Sequence, residues 1–342
     1  MPSETTRMRQ EVLEIPIAVD RLLTQGGKAI AKAAGKAREA NPPFLLSVAR
    51  GSSDHACTYL KYASELILRR PMASVGPSVA SIYGVELEAP GALCISVSQS
   101  GQSPDIVRMT EALRDNGALT VAITNDANSR LAGVADTTLP IHAGPELSVA
   151  ATKTFVTSLV AGLWLIAEIK GDDTLIAAIR ALPAHLEAAT RCDWSVAAAA
   201  MDGRSLFTLG RGPSWAISNE AALKFKETCL IHAESYSSAE VLHGPVSIVD
   251  RDFPVIAFAA GDAAEESTAQ TADALAAKGA RVFVPSDKVN KATRLPHVRT
   301  DHWLTDPVAA IVSFYGMVET VAVGRGIDPD APRHLNKVTE TV

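Results

Sequence analysis

Short apolar runs alternate with amphipathic stretches along the 342-residue chain. Leu45 to Val48, Leu93 to Val97 and Thr120 to Thr124 are apolar or β-branched runs of strand length, and residues with helical spacing follow them. The alternation returns at Leu206, Val255 and Arg281. Runs this short and this continuously apolar predict strands covered on both faces. Strands alternating with helices predict parallel sheets sandwiched by helices, a Rossmann-like α/β fold.

The second set of elements repeats the first. Leu45-Leu-Ser-Val-Ala-Arg-Gly-Ser-Ser53 resembles Leu206-Phe-Thr-Leu-Gly-Arg-Gly-Pro-Ser214, about 160 residues later. Leu93 to Gly101 matches Val255 to Gly261, and Thr120 to Thr124 matches Arg281 to Pro285. Three matches in one order indicate two tandem copies of one domain. The expected boundaries are an N-terminal helical arm at 1–40, a first domain at 41–195, a second at 196–328 and a tail at 329–342. In the arm, apolar residues recur at 8, 12, 15, 19, 22 and 23, with a break signal at Pro16, and a second helix follows from about Lys28 to Ala40.

Charge and cysteine usage narrow the partners. The net charge is −6 and no basic cluster stands out, which argues against nucleic acid. The longest apolar run, Ser158 to Ile166, is too short to span a bilayer, and the N-terminus lacks the apolar core of a signal peptide. Cys57, Cys94, Cys192 and Cys229 have no metal-ligand spacing. Cys94 and Cys229 read as buried thiols, and the pattern suits the cytoplasm. No metal and no cofactor is implied.

Candidate chemistry is densest where Leu93 to Val97 runs into Ser98-Gln-Ser-Gly-Gln-Ser103 and Pro104 opens a helix. A strand, a hydroxyl-rich turn and a helix N-terminus aim N–H and O–H donors at one point, where the helix dipole adds positive potential. A phosphate fits there; a capped turn without a ligand is the plainer alternative. The counterpart, Ala259-Ala-Gly-Asp-Ala-Ala264, has no hydroxyls, and Asp262 would repel a phosphate. One phosphate site per chain is expected.

In Glu220-Ala-Ala-Leu-Lys-Phe-Lys-Glu227, Lys224 shares a helical face with Glu220 and Glu227. That is either a solvated charged face or a working row. The stretch from Thr228 to Pro245 shows no clear period and reads as a long irregular segment, which compact domains often use for function. His243, before Gly244-Pro245, reads as a loop residue, His232 as a core or structural histidine, and His55 as a candidate near the first Arg-Gly turn. Leu147 to Phe155 begins an apolar helix with Thr152 as a donor; the plain reading leaves Lys153 exposed. By composition the tail around Lys337 is a frayed terminus.

Together these motifs resemble the sugar isomerase (SIS) family, and within it the isomerase half of glucosamine-6-phosphate synthase. The likeness runs through Met8 to Pro16, Ser98-Gln-Ser-Gly, Val149-Ala-Ala-Thr-Lys153, Ala222 to Glu227, Ile231 to Tyr236, Glu240 to Pro245 and Pro332 to Lys337. It implies that Ser98, Gln99, Ser100 and Ser103 hold a sugar phosphate, and that Ser53 and the backbone at Val149 hold sugar hydroxyls. It implies that Glu227 moves the proton between C1 and C2 with Lys224 beside it. His243 would open the ring from a neighbouring subunit of a homodimer, and Lys337 would form a Schiff base on a tail that folds over as a lid. Local departures bear on the sugar contacts and the lysine: Ala151 replaces a Ser, Asn336 a small Ala and Val338 a Ser, and the first turn is Ala49-Arg-Gly-Ser-Ser53 rather than Cys-Gly-Thr-Ser. No glutaminase cysteine precedes Cys57, so the expected reaction is deamination of glucosamine 6-phosphate to fructose 6-phosphate and ammonia. Synthase-type transfer, action on fructosamine 6-phosphate or galactosamine 6-phosphate, and non-catalytic phosphosugar sensing are the alternatives.

Overall fold

The computed structural model describes residues 5–337. Ten strands form two five-stranded sheets in which every pairing is parallel. The first contains β1 (Leu45–Val48), β2 (Met72–Ser74), β3 (Leu93–Val97), β4 (Leu119–Thr124) and β5 (Thr137–Pro140), in the order β2-β1-β3-β4-β5. The second contains β6 (Ser205–Gly210), β7 (His232–Ser237), β8 (Pro254–Phe258), β9 (Arg281–Val284) and β10 (Thr293–Arg294), in the order β10-β9-β8-β6-β7. Numbered within each copy, both orders are 2-1-3-4-5, so the repeat in the sequence is a repeat in topology. Every residue of β1, β3 and β8 is buried, as the continuous apolar runs require.

The main helices are α1 (Arg7–Leu13), α2 (Ile15–Gln25), α3 (Gly27–Ala40), α4 (Ser52–Ala63), α5 (Pro104–Asp115), α6 (Lys153–Lys170), α7 (Asp173–Ala189), α8 (Pro213–Cys229), α9 (Glu265–Ala276) and α10 (Asp306–Gly324). Two compact units result. One comprises residues 17–146 and 153–180 with Asn336 and Lys337. In it, Leu46, Cys94, Ile106, Met109 and Leu113 fill one side of the first sheet. On the other, α3 and α4 pack on α6, close enough that a Cβ at Gly162 would strike Leu60.

The other unit comprises residues 5–16, 147–152 and 181–335. Its core joins Phe207, Leu209, Val255 and Leu275 around the second sheet. Phe314 of α10 stands edge-on to Phe225 and Phe258, with ring centroids 5.3 and 5.8 Å away. By length and hydropathy α10 could cross a membrane, but it is largely buried as this core helix.

Three expectations change. The stretch after α8 is not all irregular: His232–Ser237 is β7, an edge strand paired with β6. Its polar sequence carries no apolar alternation because only one edge is paired and only Ala233 is buried. His232 is exposed at its first position rather than set in a core. Lys153 is 2% exposed rather than projecting from α6. The apolar stripe of the arm (Met8, Val12, Ile15, Val19, Leu22) is buried, as its helical spacing requires.

Candidate active site

The loop after β3 leaves donors unused. Its backbone is fixed from behind: Asn125 N donates to Gln99 O and Leu131 N to Gly101 O, both at 3.0 Å. Gly101 has φ +62°, and a Cβ there would run into the Ser129 side chain. Only glycine fits both demands. Ser98 Oγ accepts from Gly101 N at 3.2 Å and Ser100 Oγ from Gln102 N at 3.3 Å, which leaves each hydroxyl proton to donate. Ser103 is the N-cap of α5 but makes no side-chain cap bond. The side chains of Ser103, Gln99 and Ser53, the last in the first turn of α4, have no hydrogen-bond partner among the described residues. β1 and β3 are the neighbours at which the strand order reverses, so their following loops form the crevice where parallel sheets take ligands.

The matching loop of the second sheet is closed by the chain itself. Gly261 N donates to Asp306 Oδ2 at 2.8 Å, and Thr300 N and Oγ1 both donate to Asp306 Oδ1 at 2.8 Å. Arg299 lies 3.4 Å from the same carboxylate, which is 4% exposed. A resident anion thus occupies donors that an incoming one would need. Asp262 is half-buried, and burial, reinforced by Glu265 and Asp306, raises its pKa.

On α8, Lys224 is a buried cation rather than part of a solvated face. Its Nζ lies 2.6 Å from Glu227 and 3.1 Å from Glu220. Lys224 and Glu220 have no exposed side-chain surface, and Glu227 keeps 20%. Burial works against the charge on Lys224, but the two carboxylates outweigh it and raise its pKa. Tyr315 of α10 donates to Glu220 at 3.2 Å. The row therefore runs from a phenol in the core to a carboxylate that reaches the surface. His243 follows a 3-10 turn (Glu240–Leu242); its ring is exposed and has no hydrogen-bond partner among the described residues.

Glu11 and Glu146, not foreseen from the sequence, hold the remaining pieces, with Asp330 beside the first. Glu11 of α1, 4% exposed, accepts from Leu147 N and Ser148 N and so fixes the backbone leading to Val149. Val149 N in turn donates to Asp330 O at 3.4 Å. The Asp330 carboxylate caps α1, accepting from Arg7 N at 2.8 Å and Met8 N at 2.7 Å. The second acid, Glu146, is fully buried. It accepts from Thr154 N at 3.0 Å and Thr154 Oγ1 at 2.6 Å, at the start of α6, and Lys337 Nζ lies 2.8 Å from it. Burial raises the Glu146 pKa, but Lys337 and Thr154 outweigh it, and the net shift is downward. Glu11 had a signal: it falls on the apolar stripe between Met8 and Ile15. Glu146 had none, since it sits in a segment without period.

The SIS domain model matches residues 44–168 and 201–325. The chain belongs to the SIS family. Its two SIS copies are the two sheets with their helices. Among curated relatives, a glutamine–fructose-6-phosphate aminotransferase (isomerizing) of Zymomonas mobilis is 31% identical over 96% of this chain and 58% of its own length. The chain spans about half the length of such relatives. A protein of Silicibacter pomeroyi, for which a phosphosugar isomerase activity has been suggested, superimposes with TM-score 0.93 at 62% identity, covering 95% of this chain and all of that one. Glucosamine-6-phosphate deaminase of Thermotoga maritima shares the fold, with TM-score 0.78 at 20% identity, over 98% of this chain and 100% of its own.

Proposed function

We propose that this SIS protein is an amino-sugar phosphate isomerase and deaminase that converts glucosamine 6-phosphate and water to fructose 6-phosphate and ammonia. The observation that carries the reading is the buried Lys224 between Glu220 and Glu227. A charged lysine without exposed surface costs several kcal/mol to desolvate, roughly. Here it fixes one carboxylate, Glu227, at the surface. Such a carboxylate suits the transfer of a proton between adjacent carbons.

The steps follow from the open-chain sugar. The Ser98-Gln-Ser-Gly-Gln-Ser103 loop takes the phosphate, and Ser53 and the Val149 backbone take hydroxyls. His243 moves the proton that opens the ring. Glu227 removes the C2 proton and returns it to C1 as the C1 carbonyl becomes a hydroxyl and C2 becomes an iminium. Lys337 exchanges with that iminium to form a Schiff base and release ammonia; water then frees the ketone and the lysine. Three of the four cysteines are poorly suited to releasing nitrogen from glutamine. Cys57, Cys94 and Cys229 are buried, and burial pushes their pKa values up, Cys94 to about 12 and Cys229 to about 11. A glutaminase needs the opposite, a ready thiolate.

The same reading makes the working unit a homodimer that shares His243. Leu242 and Ile248, on either side of that histidine, are 50% and 56% exposed, apolar surface that a second copy would cover. Four free cysteines suit a reducing cytoplasm.

The test is ammonia and fructose 6-phosphate release from glucosamine 6-phosphate, run beside galactosamine 6-phosphate and fructosamine 6-phosphate. Turnover of glucosamine 6-phosphate above the others supports the proposal. Preference for another substrate moves the specificity within the same chemistry, and no turnover of any of them overturns the enzyme reading.

A further inference from the structure

Arg50, in the turn after β1, takes no part in the chemistry above. Its Nε lies 2.5 Å from Asp105 Oδ2. Asp105 is the second residue of α5, only two positions beyond Ser103, and its side chain has no exposed surface. Its other oxygen accepts from its neighbour, Ile106 N, at 2.8 Å. A buried carboxylate in the first turn satisfies the helix dipole but works against any anion brought to that helix end. Arg50 offsets that charge where the hydroxyl-rich loop ends.

The guanidinium is not used up by this. Asp105 engages Nε, the arginine side chain is 46% exposed, and Nη1 and Nη2 have no hydrogen-bond partner among the described residues. A guanidinium held by one edge presents its other N–H groups as a planar fork, the geometry that matches two oxygens of a phosphate. The loops after β1 and β3 line one crevice, so Arg50 and the serine hydroxyls sit on the two loops at the same end of the sheet.

The second copy is an internal control. Arg211 stands in the matching Arg-Gly turn, but Glu266, at the position matching Asp105, is bonded instead by Gln270 at 3.0 Å and approached by Lys288 at 4.0 Å. Arg211 forms no ion pair among the described residues. In the twin, the buried acid of that first turn, Glu265, is held instead by Arg299 from a later segment, so the arginine of the Arg-Gly turn locks a carboxylate only in the copy that has the loop hydroxyls.

We propose that Arg50 is a phosphate-binding residue: Nε holds Asp105 while Nη1 and Nη2 take two oxygens of the substrate phosphate. This rests on the loop being the phosphate site.

Calorimetric titration with fructose 6-phosphate, and with inorganic phosphate as the simpler probe, tests both layers. Arg50→Met alone takes the guanidinium away from a buried carboxylate, so it is compared with Arg50→Met/Asp105→Asn, whose folding is checked by thermal unfolding. The folded double variant should bind both ligands roughly tenfold more weakly or worse, with affinity less sensitive to salt than in the wild type. Arg50→Lys should recover part of the loss, and Asp105→Asn alone should bind at least as tightly as the wild type. Wild-type affinity in the folded double variant overturns the role of Arg50. If Ser98→Ala/Ser100→Ala binds as the wild type does, the loop is not the phosphate site and the proposal falls with that reading. Weak binding by the serine variant beside unchanged binding by the Arg50 double variant overturns the arginine alone.

Discussion

Lys337 Nζ lies 2.8 Å from Glu146 Oε2, so the lysine of the tail is docked against a carboxylate with no exposed surface. The carboxylate is itself fixed by Thr154, at the first turn of α6. A tail residue that composition alone assigns to a frayed end therefore has a defined seat in its unit. The tie has a pH signature. The Glu146 pKa is lowered from 4.5 in the fold, so its stabilisation is complete above that value and is lost as pH falls through the lower folded value. Thermal unfolding of wild type and Glu146→Gln, compared from pH 7 down to about pH 3, should show a gap that closes on acidification. A gap independent of pH would contradict this account.

Glu227→Gln should abolish turnover and cost less stability than loss of the lysine, because Glu220 still pairs with Lys224 and the glutamine amide oxygen can still accept its hydrogen bond. Lys224→Met should behave differently. It takes the cation away from Glu220, which has no exposed surface, at a cost of about 3–5 kcal/mol. Denaturant unfolding of the two variants separates a chemical role from a structural one.

Gly101→Ala should destabilise the first unit by about 1–3 kcal/mol, from the positive φ and the collision with Ser129. It should also weaken fructose 6-phosphate binding, since the loop cannot keep its course. Denaturant midpoints and titration measure the two effects. Unchanged stability would mean that the loop is not constrained as its geometry indicates.

If His243 is supplied by a neighbouring copy, Glu227→Gln and His243→Ala subunits should complement one another. Each variant alone is inactive. Mixed after dissociation in equal amounts, half the dimers carry one intact site of two, so about a quarter of wild-type activity should return. No recovery, with mixed dimers shown to form, would place His243 in its own subunit's site.

What was legible in the sequence followed from period and repeat. Fully buried strands such as Leu93–Val97 announce themselves because neither face may be polar, and the duplication revealed the second sheet. The pairing of Lys224 with two acids followed from helical spacing, but its burial did not, because spacing says who shares a face and not what covers it. Tyr315 and the rest of α10 cover it. β7 escaped notice because an edge strand needs no apolar alternation, and its His232 was misplaced for the same reason. Glu11, Glu146 and Asp330 act on backbone far away in sequence, at Leu147, Thr154 and Arg7. Such long-range contacts leave no local pattern around Glu146 or Asp330, and for Glu11 only its place on an apolar stripe.

Asp306 in the second copy has a consequence for how duplicated domains drift apart. Once the hydroxyls of a binding loop are lost, its backbone donors still need an acceptor, and a carboxylate one helix away now supplies it for Gly261. That substitution works as a ratchet. Restoring serines at 259 and 261 would not revive a second site while Asp306 stays, and removing Asp306 first would leave Gly261, Thr300 and Arg299 without their shared partner. The way back requires both changes at once, so the asymmetry between the two halves is self-preserving.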